Sequence, residues 1–352
     1  MIPSSILKVF LPSVVTFIVG IFITPLFTKY FYQYKLWKRS SRLDNDVAMS
    51  DAFKQIHDEK VETGTPRVGG LIIWISSLVV IMGMYLLAQM FGGATFEKLD
   101  FLSRGQTLIP LATLVFGGLF GLFEDFLEIF TNKFHMFRQG LSAKYLVGVV
   151  TLIGLACALW FYFKLGMQSV YVPFMGDVWI GWGFIPFFVL VVLGTFSSRV
   201  IDGIDGLAGG VMAIAFAAYG MIAYLKDFTD IATLCLVITG GILAFLWFNI
   251  PPARFYMGET GMLGLTLTLA VIAFLTNSVL VLVIVGLPLV ATSFSSASQI
   301  ASKKYLGRKL WKIAPLHHHF QALGWSREKI TMRYWIVSLM SAVVGIVVAL
   351  IG

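Results

Sequence analysis

The stretch Val200-Ile201-Asp202-Gly203-Ile204-Asp205-Gly206-Leu207-Ala208-Gly209-Gly210 places two carboxylates three residues apart, where two long apolar segments meet. On a helix that spacing turns both to nearly one face, and the interleaved glycines leave the backbone open to a bulky polar ligand. Charged groups at membrane depth are costly and point to a use. Further acids stand at comparable boundaries. Glu124, Asp125 and Glu128 follow the run Gly117-Gly118-Leu119-Phe120-Gly121-Leu122-Phe123, and Glu259 sits in Tyr256-Met257-Gly258-Glu259-Thr260-Gly261. Like charges gathered at one depth repel unless a cation or basic partner neutralises them. The pattern predicts a magnesium and phosphate site with the 202–210 turn as its floor. Helix capping at an interface is the plainer account of Asp202 and Asp205, as close helix packing is of the glycines.

Histidines cluster once, as His317-His318-His319 within Ala314-Pro315-Leu316-His317-His318-His319-Phe320. Consecutive histidines converge poorly on zinc and no cysteine accompanies them, so contact with phosphate oxygens suits them better. The turn Gly64-Thr65-Pro66-Arg67-Val68-Gly69-Gly70 can offer backbone amides to an anion. Trp247, Asn249 and Tyr256 flank another polar loop, placed for an interfacial belt or for stacking on a base. Lys303 to Lys312 reads as a basic amphipathic piece resting on anionic headgroups, or as a topology determinant.

What must position these residues is a set of membrane helices. Of 352 residues, 58% are hydrophobic and 12% charged, and the mean hydropathy is +0.86. The apolar runs are long enough to cross a ~30 Å hydrocarbon layer as helices and lack the short alternating segments of a barrel. The reading is an all-α, polytopic integral membrane protein, a single domain over 1–352. Ten spans are expected, at roughly 7–27, 70–92, 107–123, 144–165, 180–198, 204–225, 230–249, 260–276, 277–301 and 333–351. Of the 26 lysines and arginines, all but Lys8, Lys98, Arg104, Lys164 and Lys226 then fall in the loops after odd-numbered spans. By the positive-inside rule those loops are cytoplasmic and both termini extracytoplasmic. Topology also accounts for the net charge of +8, so no nucleic-acid partner is called for. Cys157 and Cys235 lie inside apolar runs as packing residues. The first apolar run has no small-residue cleavage site and is expected to be retained.

Carboxylates for magnesium, histidines and lysines for phosphate oxygens, and a site at the bilayer edge suggest phosphoryl transfer between a soluble nucleotide and a lipid phosphate. The motifs resemble the polyprenyl-phosphate N-acetylhexosamine-1-phosphate transferases. Ile201-Asp202-Gly203-Ile204-Asp205-Gly206-Leu207-Ala208 is similar to the superfamily at large, and Ala314 to Phe320 with Gly324-Trp325 to its phospho-MurNAc-pentapeptide transferase branch. Thr65-Pro66 with Gly69-Gly70, Phe248-Asn249 with Pro252-Ala253, and Met257-Gly258 with Thr260-Gly261 add to the likeness.

The resemblance implies ten spans, a homodimer and a bacterial plasma-membrane location with the site on the cytoplasmic face. It implies magnesium-dependent transfer of phospho-MurNAc-pentapeptide from UDP-MurNAc-pentapeptide to undecaprenyl phosphate, giving lipid I and UMP. Asp125 and Glu259 would hold the metal, with Glu124 paired to Asp125 and His317 and His318 in contact with the substrate phosphates or sugar. Asp202, Asp205, Asn249, Tyr256, Lys60, Lys144 and His319 would contact substrate. A sister transferase acting on a UDP-N-acetylhexosamine, and a catalytically inert relative, remain alternatives. The chain departs from the family pattern at Glu124 (usually Asp), Glu128 (usually Lys), Arg199 (usually Asn) and Glu259 (usually Asp), and Lys60 is out of register with the Thr-Pro turn.

Overall fold

The computed structural model describes residues 4–37, 64–91, 100–102, 106–130 and 141–352. Lys60 lies outside the described residues, so its expected role has no counterpart below. Long helices dominate: α1 (Ser4–Gln33), α2 (Gly70–Phe91), α3 (Leu108–Ile129), α4 (Ala143–Phe163), α5 (Phe184–Ser197), α6 (Leu207–Leu225), α7 (Thr229–Asn249) and α8 (Gly258–Leu275). A short α9 (Leu282–Val285), then α10 (Leu287–Leu306), α11 (Leu316–Ala322) and α12 (Arg327–Ile351) complete the chain. The chain is mostly helical, as the all-α reading expects, with one short hairpin added, in which β1 (Ser169–Val172) pairs antiparallel with β2 (Gly176–Trp179). Phe174 and Gly176 take positive φ at the tip, which closes so short a hairpin.

Nine helices among the described residues are long and apolar enough to cross a membrane, so the protein is membrane-integral. The difference from ten lies at 277–301. There the chain breaks at Gly286 between α9 and α10, with Pro288 at the start of α10, where its missing N–H costs nothing. The serines, threonine and glutamine of 292–302 make α10 too polar to count as an apolar span, although its 20 residues are long enough.

α8 is the centre of the bundle. Apart from Glu259, each of its residues is buried, as an all-round apolar helix requires. It lies along α3 on a seam of small residues: a Cβ on Gly117 would meet the Gly264 Cα at 2.8 Å, and one on Gly121 would overlap the Glu259 carbonyl. The two backbones approach this closely because no side chain intervenes. Towards the other end of α8, Phe274 stacks on Phe188 of α5, with ring centroids 4.2 Å apart.

Contacts order the two ends of the bundle. Lys8, near the start of α1, pairs with Asp230 at the start of α7 at 2.7 Å. The Gly352 carbonyl at the end of α12 accepts from the Tyr171 hydroxyl at 2.6 Å and from the Phe174 N–H at 2.8 Å. At the opposite end of α1, the Tyr32 hydroxyl donates to the Arg254 carbonyl at 2.9 Å, in the loop between α7 and α8.

The seam gives a test. Gly121→Ala is expected to destabilise the protein by about 1–3 kcal/mol through overpacking. Gly148→Ala on α4, where nothing lies within 4 Å of the added carbon, should change stability by less than ~0.5 kcal/mol. Thermal unfolding of the two variants in detergent makes the comparison.

Candidate active site

Three consecutive N–H groups open α8 without a partner inside that helix. The Gly258 N–H donates to Asp202 Oδ2 at 3.1 Å, the Glu259 N–H to Asp125 Oδ1 at 3.2 Å and the Thr260 N–H to Asp125 Oδ2 at 2.8 Å. The Thr260 hydroxyl adds a fourth bond to Asp125 Oδ2 at 2.6 Å. Two carboxylates from other elements thus cap one helix, where its dipole favours negative charge. Gly258 has φ +68°, and a side chain there would run into the Arg67 carbonyl and Asp125.

The turn between α5 and α6 is fastened to the loop between α7 and α8. Asn249 is buried: its Oδ1 accepts from the Gly206 N–H at 3.0 Å and its Nδ2 donates to the Phe255 carbonyl at 2.8 Å. Asp205 Oδ2 accepts from the Ala253 N–H at 3.0 Å. α12 braces the far side, where the Trp335 indole N–H donates to the Gly206 carbonyl at 3.1 Å and the Thr331 hydroxyl to that of Asp205 at 3.2 Å. Gly206 has φ +75°, the left-handed conformation this turn requires. The 64–70 turn docks on the same loop, with the Tyr256 N–H donating to the Pro66 carbonyl at 2.8 Å and the Gly69 N–H to the Tyr256 carbonyl at 2.9 Å.

These elements enclose a cavity of ≈ 1350 Å³ lined by Glu124, Asp125, Glu128, Asp202 and Glu259, with Arg67, Arg199 and His318 as its basic groups. Glu124, Asp125 and Glu128 fall on one face of α3 and each brings a carboxylate oxygen within 4.8 Å of the others. Among the described residues, two ion pairs cross the walls. Arg67 Nη1 reaches Glu128 Oε2 at 3.1 Å, and Arg199 pairs with Glu259 while its guanidinium lies 4.8 Å from the Phe196 ring centre. Glu124 Oε2 and Glu259 Oε2 are buried without a hydrogen-bond partner among the described residues. Among the described lining residues five carboxyl groups face two arginines, and the grouped oxygens are the hard donors that magnesium prefers.

The remaining expected residues divide. His318 lines the cavity, its Nδ1 lying 2.6 Å from Gln321 Oε1. His317 is fully buried, and a Cβ on Gly203 would meet its Nε2 at 2.7 Å. His319 turns away: its Nδ1 accepts from the Lys312 N–H at 3.2 Å, its ring meets Trp311, and burial together with Lys312 lowers its pKa. Lys144 is exposed in the first turn of α4, whose Ser142, Ala143 and Tyr145 neighbours line the cavity in its place. Burial and the nearby Asp205 push the Tyr256 hydroxyl up to about 12. Burial also raises Asp202, to about 6, against the opposing pull of Arg67 and the Gly258 N–H.

A family model described as glycosyl transferase family 4 matches residues 107–277, from the start of α3 to just beyond α8. A phospho-N-acetylmuramoyl-pentapeptide-transferase of Enterococcus faecalis is 32% identical over 339 residues, 95% of this chain and 96% of that protein. One from Bacillus anthracis is 31% identical over 340 residues, covering 94% and 95%. One from Chloroflexus aggregans is 32% identical over 305 residues, covering 83% and 78%. The chain belongs to the phospho-N-acetylmuramoyl-pentapeptide-transferase family.

Arg199 and Glu259, two positions at which the resemblance implies a departure, are each other's partners. Glu128 likewise pairs with Arg67, a residue the sequence offered only as part of a turn. The signal for Glu128 was available: it lies four residues after Glu124 and three after Asp125, the two spacings that make neighbours on a helix surface.

Two stability tests follow. Asp125→Ala strands the Thr260 N–H and hydroxyl and should cost roughly 2 kcal/mol or more, whereas Glu124→Gln, at an oxygen that accepts nothing, should leave the unfolding midpoint nearly unchanged. Asp202 titrates higher folded (about 6) than unfolded (about 3.9), so the folded chain gains a proton as pH falls between those values and this group favours folding towards acid. Asp202→Asn, which mimics the protonated form, should therefore raise the midpoint of chelator-treated protein at pH 8 and raise it much less at pH 4.

Proposed function

We propose that this chain transfers phospho-MurNAc-pentapeptide from UDP-MurNAc-pentapeptide to undecaprenyl phosphate, releasing UMP and forming lipid I. The observation carrying this reading is the acid-lined cavity closed by the cap of α8, within a chain of this family. An acceptor phosphate oxygen attacks the sugar-bound phosphorus, forming a new P–O bond as the bridging P–O bond breaks and UMP departs with the electron pair. Arg67, Arg199 and His318 donate to phosphate oxygens. Glu124, Asp125 and Glu128 would hold magnesium, and Glu259 lines the same cavity. Bound there, the metal supplies positive charge to the diphosphate oxygens.

The charge distribution supports a cytoplasmic site in the bacterial plasma membrane, with both termini outside, because the loops joined at the cavity carry the basic residues. A single domain over 1–352, acting as a homodimer within the surrounding lipids, completes the reading.

Incubating purified protein and undecaprenyl phosphate with UDP-MurNAc-pentapeptide, and separately with UDP-N-acetylglucosamine, tests it. Magnesium-dependent UMP release with the first donor is expected; release with the second alone assigns the chain to the sister reaction, and nucleotide binding without turnover marks an inert relative. The Arg199–Glu259 pair supplies a sharper measurement. Glu259→Asp retracts the carboxylate by one methylene from Arg199 and should lower turnover at least roughly tenfold, with Arg199→Asn in the same chain restoring part of it, the signature of coupled neighbours.

A further inference from the structure

We propose that the basic fold-back after α10, residues 303–312, is a docking surface for the anionic phospholipid headgroups of the bilayer. The inference stands apart from the transfer reaction. Lys303, Lys304, Arg308, Lys309 and Lys312 are all exposed, and no acidic residue occurs between Glu259 and Glu328 to offset them.

The charges are held in one arrangement. Gly307, at φ +63°, ends α10 and lets the chain double back on its last turns. Gln299, only 7% exposed, accepts from the Leu310 and Trp311 N–H groups at 3.0 Å each and donates to the Trp311 carbonyl at 3.1 Å. The Ser302 hydroxyl donates to the Arg308 carbonyl at 2.7 Å, and the Trp311 indole N–H to Ser298 Oγ at 3.0 Å. A loop serving only as a mobile positive tail has no use for five such bonds.

Apolar side chains share this surface. Ile300, Tyr305, Leu306 and Leu310 are 68%, 75%, 62% and 54% exposed. Leu287, Val290 and Phe294, earlier on α10, are exposed as well and at helical spacing, so exposed apolar side chains occur along α10 up to the basic fold-back. Cations beside apolar side chains at that edge match a headgroup layer, which takes the charges at its phosphates and the apolar bodies just beneath. A soluble phosphate or an acidic protein would engage the charges and leave the apolar side chains in water.

Native mass spectrometry of the full chain in detergent, titrated with phosphatidylglycerol or with phosphatidylcholine of the same acyl chains, tests the proposal. The wild type should prefer phosphatidylglycerol. The K303Q/K304Q/R308Q/K309Q variant should lose up to roughly fivefold of that preference per charge removed, while K303R/K304R/K309R keeps it. Unchanged unfolding midpoints show that both variants are folded. A wild-type preference in the glutamine variant overturns the proposal, as does displacement of phosphatidylglycerol by inorganic phosphate or polyglutamate at equal charge concentration, which assigns the surface to soluble anions.

Discussion

The open N–H groups at the start of α8 are the constraint on which the rest of this structure depends. A helix that begins within a bundle leaves donors that water cannot satisfy, and an unmet buried donor costs about 1–3 kcal/mol. Here the acceptors come from outside the helix: Asp125 at the end of α3 and Asp202 after α5. One set of hydrogen bonds therefore fixes three elements against each other at one depth. The glycine seam between α3 and α8 follows from it, since Asp125 reaches Thr260 only when the two backbones nearly touch.

The same bonds decide how charge is shared in the cavity. Asp125 and Asp202 spend much of their accepting capacity on backbone, and Glu128 and Glu259 face arginines. Glu124 and Glu259 also line the cavity, and each keeps one buried oxygen that accepts no hydrogen bond among the described residues. The carboxylates are thus unequal in function: some build the wall and others face the space within it.

Much of this was legible in the sequence, and what was not is specific. Apolar runs marked nine of the expected spans, and 277–301 differs, because length and overall hydropathy hid a Gly-Leu-Pro break and a serine-rich continuation. The Asp202 and Asp205 turn was visible as a chemical centre, yet its carboxylates mainly accept backbone N–H groups, a use no spacing reveals. Asn249 stood out beside aromatic residues and proves to be a clamp between two loops. His317, His318 and His319 are adjacent in sequence but only two stay together: the His317 and His318 rings lie 4.3 Å apart beside Gly203, while α11 turns His319 towards Trp311 and the Lys312 N–H. The partnerships of Arg199 with Glu259 and of Arg67 with Glu128 join residues roughly sixty positions apart, beyond any local pattern.

Asp125 belongs both to the cap of α8 and to the acid group of α3, and this has a thermodynamic consequence. A ligand that draws on that carboxylate alters the acceptor on which the central helix begins, so occupancy of the cavity and cohesion of the bundle form one linked equilibrium. The protein's persistence in the membrane then varies with the supply of whatever fills the site, and a cell short of that ligand would lose enzyme as well as turnover.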